Sequence, residues 1–243
     1  MTADFETTRL FLHASSLSSL PDDVLSQRHL TTLDLSYNQL TELPEALGEL
    51  RALEFLYVSN NKLAKLPESI GKLKSLVYLN VSNNAITALP DSIGALGSLL
   101  ELRAHDNALR GLPYSIGALA TVREIYLNGN ALEELPDSIG RLTSLRVLNL
   151  SRNALIALPR NIRGLERVTH LDLRANRLTT LPDAIGEMRQ LVHLDLRENQ
   201  LMTLPDAMRE LQSLEKLDVR WNTLSSIPKW IEQLRDRGCA VYT

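Results

Sequence analysis

The 243-residue sequence has one cysteine, Cys239, few aromatics (5%) and no proline outside ten evenly placed positions. A single cysteine excludes an internal disulfide framework and fits a reducing compartment. No apolar run approaches the length needed to cross a bilayer, so no membrane span is expected. Neither sign of charge dominates. The formal net charge is −3 and the pI about 6.0, which offers no general attraction to nucleic acid or an anionic membrane surface. The opening MTADFETTRLFLHASS has no basic stretch followed by an apolar core, so no secretory signal is read and a cytoplasmic location is expected. A P-loop, an H-E-x-x-H motif, a nucleophile elbow and a C-x-x-C pair are all missing, and no cofactor is expected. The apolar fraction of 44% excludes a disordered chain and supplies enough side chains for a large core.

What is present is a repeat. The prolines fall at Pro21, Pro44, Pro67, Pro90, Pro113, Pro136, Pro159, Pro182, Pro205 and Pro228, each 23 residues from the next. Such register makes the chain one array of ten units rather than a set of separate domains. Aligned, the units read L-x-x-L-x-L-x-x-N-x-L-x-x-L-P-x-x-I-G-x-L-x-x. They occupy residues 7–29 through 214–236, with 1–6 as an N-terminal cap and 237–243 as a C-terminal capping strand.

The L-x-L segment alternates with period two, as a half-buried strand does. The L-P-x-x-I-G-x-L segment spaces apolar residues by three, as a helical or 3₁₀ turn does. Proline is expected at the first position of that turn, where its missing N–H has no partner anyway. No unit can bury its own leucines, but stacked units build a continuous core and a parallel sheet. The asparagine column, Asn38 through Asn222, has donors and an acceptor to satisfy loop backbone that stacking buries. Ser15 replaces it in the first unit, as a capping repeat allows. At the other end Trp230, Ile231 and Leu234 are placed to cover the last core layer, and Cys239 reads as a small apolar cap residue rather than a reactive thiol.

The pattern resembles the short, 23-residue type of leucine-rich repeat, over about 230 of the 243 residues. In the fourth unit it runs Leu76-x-x-Leu79-x-Val81-x-x-Asn84-x-Ile86, then Leu89-Pro90-x-x-Ile93-Gly94-x-Leu96. Within that family the spacing is most similar to Ras-suppressor-like and plant intracellular Ras-group-related repeats. The resemblance implies an α/β repeat solenoid. This is a horseshoe with a concave parallel β-sheet and short helical or 3₁₀ segments on its convex side. It also implies a module that binds other proteins, not an enzyme.

Side chains flanking the strand leucines point away from the core and line the concave face. With the position before each asparagine, that face holds seven of the eleven aromatics and four of the five histidines. Phe11, Tyr37, Phe55, Tyr57 and Tyr78 fall within the first four repeats, and Tyr126 and Trp221 follow. Exposed aromatic clusters commonly anchor partners. Farther along, Asp172, Asp195 and Asp218 form one column and Arg174, Arg197 and Arg220 another. Either these charges compensate one another, or Arg152 and the arginine column grip an acidic or phosphorylated partner with Trp221 at the edge. Arg103 and His105 complete the candidate binding residues. His170-Leu-Asp172 and His193-Leu-Asp195 hold residue types suited to a metal or to acid–base catalysis. Against this, parallel strands do not readily converge four ligands, and the arginines nearby disfavour a cation.

The favoured reading is a monomeric, non-catalytic module that binds a partner protein on the concave face, with a small GTPase or another signalling protein as candidate partner. The alternative is a recruitment or effector scaffold in a signalling or ubiquitin-ligase pathway. A remote third reading is an enzyme centred on His170 and His193. Nucleic acid is disfavoured because acidic and basic side chains are interspersed on the face.

Overall fold

The computed structural model describes residues 7–243, and the cap assigned to residues 1–6 lies outside the described residues. Each repeat contributes one three-residue strand. The strands are β1 Arg9–Phe11, β2 Thr32–Asp34, β3 Phe55–Tyr57, β4 Tyr78–Asn80, β5 Glu101–Arg103, β6 Glu124–Tyr126, β7 Val147–Asn149, β8 His170–Asp172, β9 His193–Asp195, β10 Lys216–Asp218 and β11 Ala240–Tyr242. They form one open, curved, parallel sheet in sequence order. Strand residues stack in register, so Leu33, Leu56, Leu79, Leu102 and their successors as far as Leu217 form a column no more than 1% exposed.

The opposite wall is built from five-residue 3₁₀ turns, from Glu45–Glu49 to Asp206–Glu210. Short helices α1 (Asp22–Ser26) and α2 (Trp230–Asp236) stand at the two ends. The turns are held close by the glycine that follows the buried isoleucine. At Gly71 an added Cβ would lie 2.5 Å from the backbone oxygen of Ser92 and 2.8 Å from its Cβ. Proline sits one position earlier than the sequence suggests. It is the N-cap, extended at φ −66° and ψ 147° in Pro136, so that its carbonyl accepts the first turn hydrogen bond from Ile139 N–H at 2.9 Å. The ring's fixed φ suits that site as well as the first turn position.

The asparagine column performs the role assigned to it. In the sixth repeat Asn130 Oδ1 accepts from Leu109 N–H of the preceding repeat at 3.0 Å, and Nδ2 donates to Ala104 O and Leu127 O at 2.9 Å. All nine asparagines repeat this pattern, and Asn38 extends it to Ser15 and Leu17 of the first unit. At the C-terminus Trp230, Ile231 and Leu234 close the core. The longer α2 shifts the register by one residue, so Leu217 pairs with Val241, 24 positions away. Cys239 is buried beside it. Burial raises its thiol pKa despite nearby Arg237, as befits a packing residue.

Candidate functional site

The parallel register sets the candidate side chains in rows across the concave face. His170, His193 and Lys216 align on β8–β10, as do Asp172, Asp195 and Asp218. Several positions expected to be open are instead buried: Thr32, Ser36, Ser59, Ser82, Ser151 and Asp218. The serines are short enough to tuck beneath their neighbours. Ser59 Oγ donates to Ser36 Oγ at 3.2 Å, and Ser82 Oγ lies 2.8 Å from His105 Nδ1.

The aromatics do not form one patch. Tyr57 and Tyr78 pack with ring centres 4.9 Å apart, and the Arg103 guanidinium lies 5.9 Å from the Tyr78 ring and 5.0 Å from that of Tyr126. Arg103 is held by Glu101 at 2.5 Å, and Tyr126 donates to Glu124 at 2.6 Å. Burial, together with that carboxylate bond, pushes the Tyr126 pKa up to about 12. The result is a continuous Tyr57–Tyr78–Arg103–Tyr126 row over β3–β6, reaching two repeats farther than the sequence suggests. Phe55 is half-buried beside it. Phe11 is 60% exposed at the edge strand. Tyr37 and Trp221, 65% and 62% exposed, stand on the turns after the strands, at φ 57° and 59°. A left-handed backbone costs a bulky residue about 1–2 kcal/mol, so both rings are held outward against a local penalty.

The basic column is largely self-compensated. Arg197 binds Asp195 at 2.5 Å and reaches Asp218 at 3.5 Å, while Arg220 binds Asp218 at 2.6 Å. Burial alone would raise the Asp218 pKa, but the Arg220 hydrogen bonds and the two positive charges outweigh it and the pKa falls. Arg152 crosses a whole repeat to pair with Asp106, passing over Gly129. Arg174 alone of these arginines makes no ion pair among the described residues. Its backbone N–H caps Asp172 Oδ1 at 3.0 Å, and burial raises the Asp172 pKa.

His170 and His193 meet edge to face with ring centres 4.6 Å apart, above a shallow cavity of about 170 Å³ that Asp172, Asp195 and Lys216 also line. His170 Nδ1 lies 2.9 Å from Thr169 Oγ1. It therefore lacks the carboxylate contact by which an acid–base imidazole is oriented. Among the described residues no cluster of metal-binding side chains has ligand geometry.

Burial depresses the His105 pKa, and burial plus the His193 charge depresses that of His170. The unfolded chain then takes up protons first as pH drops below the ordinary histidine value of 6.5. Stability is complete above that value and declines as pH falls toward the folded pKa values. Thermal melts should show a lower Tm at pH ~5 than at pH ~7, with a smaller drop in His105→Gln.

Sequence reasoning missed Tyr114, which is 58% exposed on the convex wall and bonded through its hydroxyl to Arg141 at 2.8 Å. Its signal was legible. The residue after proline is acidic in most repeats and is Tyr114 in the fifth.

The family model described as "Leucine-rich repeat region" matches residues 55–135 and 133–236, and "Leucine rich repeat" matches 6–63. Among solved structures, a leucine-rich repeat protein of Leptospira interrogans is 30% identical with a TM-score of 0.71, over 94% of this chain and 70% of its own. The ectodomain of the plant membrane receptor kinase GASSHO1/SCHENGEN3 from Arabidopsis thaliana is 31% identical, with a TM-score of 0.81. That match covers 92% of this chain and 28% of the ectodomain chain. A TDR receptor is 29% identical, with a TM-score of 0.85 over 95% of this chain and 42% of its own. No curated protein matches the sequence significantly.

Proposed function

The chain belongs to the leucine-rich repeat family, whose fold generally serves protein–protein interaction, and from that premise we propose a non-catalytic module that binds a partner protein on its concave face. The observation that carries this reading is the Tyr57–Tyr78–Arg103–Tyr126 row. It presents rings and a guanidinium on strands whose backbone is fixed by the sheet on both sides. Such pre-ordered side chains lose little conformational entropy on binding, and tyrosine and arginine are enriched among binding hot spots. The GASSHO1/SCHENGEN3 ectodomain, of the same fold, was crystallised in complex with CASPARIAN STRIP INTEGRITY FACTOR 2, which supports partner binding as the use of the architecture.

The finer reading is a signalling partner met in the cytoplasm by a monomer. The unpaired Cys239 supports a reducing compartment, and the 23-residue spacing supports small GTPases as the first partner class to test. The test is paired capture with wild type and Phe55→Ala/Tyr57→Ala/Tyr78→Ala, after matching their melting curves. The variant should lose at least about 2 kcal/mol of affinity, near thirtyfold, for the wild-type partner. Equal affinity would remove the aromatic row from the binding surface.

A further inference from the structure

Arg197 and Arg220 are engaged by the carboxylates beneath them, which leaves a different set of groups facing solvent. Asp195 is held by Arg197, and Asp218 by Arg220 and Arg197. Asp172 is capped by the Arg174 backbone N–H. Above this layer stand His170, His193 and Lys216, in register on adjacent strands. Among the described residues Lys216 has no carboxylate within ion-pair distance, and its ammonium lies 5.9 Å from the Tyr242 ring. With Nδ1 of His170 engaged by Thr169, Nε2 is the ring nitrogen left for a ligand.

We propose that His170, His193 and Lys216 form an anion-binding row for an acidic side chain of the partner, engaged when the imidazoles take up protons. This rests on the concave-face reading and names its chemistry in repeats 8–10. The row sets three side chains with donors on successive strands, roughly 4.8 Å apart, around a cavity of about 170 Å³. Burial and the His193 charge, with the rings 4.6 Å apart, lower the His170 pKa. An anion between them opposes that shift, so binding and protonation favour each other.

The charged and titratable groups facing the pair are few. From its own strand each histidine sees one aspartate, Asp172 or Asp195. From β10 come Lys216 and the Arg-paired Asp218, and from β7 only Val147, which carries no charge. Burial and the neighbouring His193 charge hold back protonation of His170. An anion offsets that charge and pairs with the Lys216 ammonium as well.

The experiment follows both imidazole rings by NMR from about pH 5 to pH 8, in sodium sulfate and in sodium chloride of equal ionic strength. Sulfate is the probe because it stays ionised throughout this range. In wild type, sulfate should raise the apparent pKa of the His170 ring above its chloride value by about half a unit, a threefold preference for the protonated form. Lys216→Gln, at an exposed position, should keep the wild-type melting temperature and abolish most of that difference. Identical titrations in the two salts would overturn the proposal. So would a sulfate effect undiminished in Lys216→Gln, which would mark general screening. No partner is needed for this readout, so it stands or falls apart from partner capture.

Discussion

Gly71→Ala is expected to destabilise the protein by about 2–3 kcal/mol, whereas Gly97→Ala leaves it unchanged or slightly more stable. The same methyl group is added in both, and the difference lies in what it meets. At Gly71 the new Cβ lands 2.5 Å from the Ser92 carbonyl oxygen and 2.8 Å from the Ser92 Cβ. The oxygen belongs to the backbone of the next turn, so relief requires the third and fourth repeats to move apart and loosen leucine layers that are fully buried. At Gly97 nothing lies within 4 Å, and the backbone is not left-handed. There alanine reduces only the freedom of the unfolded chain. For a domain of this length the Gly71 variant should melt about 4–12 °C lower by circular dichroism. Equal melting of the two variants would mean that the convex turns are not in close contact.

Asn176→Ala should cost a further step, about 3 kcal/mol or more. Asn176 is buried, accepts from Leu155 N–H at 3.0 Å, and donates to Leu150 O and Leu173 O at 3.0 Å. Alanine leaves one backbone donor and two acceptors without partners inside the stack, and each orphaned buried group costs about 1–3 kcal/mol when water cannot replace the bond. Asn176→Asp separates this account from simple loss of volume. Aspartate has nearly the same shape and keeps the acceptor, yet its carboxylate would face the two carbonyls with no proton to donate. At neutral pH it should be at least as destabilising as alanine, and Tm should recover partly as pH is lowered and the carboxyl protonates. An Asp variant as stable as wild type would show that the column acts by packing alone.

The fold was legible because its causes are local and repeated. One Asn in one unit is a surface residue, but nine at constant spacing define a column whose only shared environment is the stacked loop. The isoleucine–glycine pair was visible as a pattern, while its cause, a carbonyl from the next repeat against Gly71, required coordinates. The N-cap position of proline was not legible because its φ suits two adjacent positions equally.

The candidate site was legible by column but not by pairing. Sequence set Arg152, Arg174, Arg197 and Arg220 together as basic side chains of one end. Which of them is engaged depends on a few ångströms of side-chain reach, and Arg174 proved to be the exception. The 23-residue spacing sets Arg103 beside Tyr126, but that the guanidinium also reaches the Tyr78 ring, and so joins Tyr126 to Tyr57 and Tyr78, required coordinates. Tyr37 and Trp221 read as strand neighbours but stand on left-handed turns, because the chain bends before the asparagine.

The central claim is that the concave face, not the convex wall, receives the partner. A photo-crosslinking residue can replace Tyr57 on the concave face or Tyr114 on the convex wall, at a half-buried and an exposed ring that neither core nor asparagine column uses. Irradiation of each variant with the captured partner should give a covalent adduct from position 57 and little from position 114. An adduct from position 114 without one from position 57 would contradict the account and move the binding surface to the convex side.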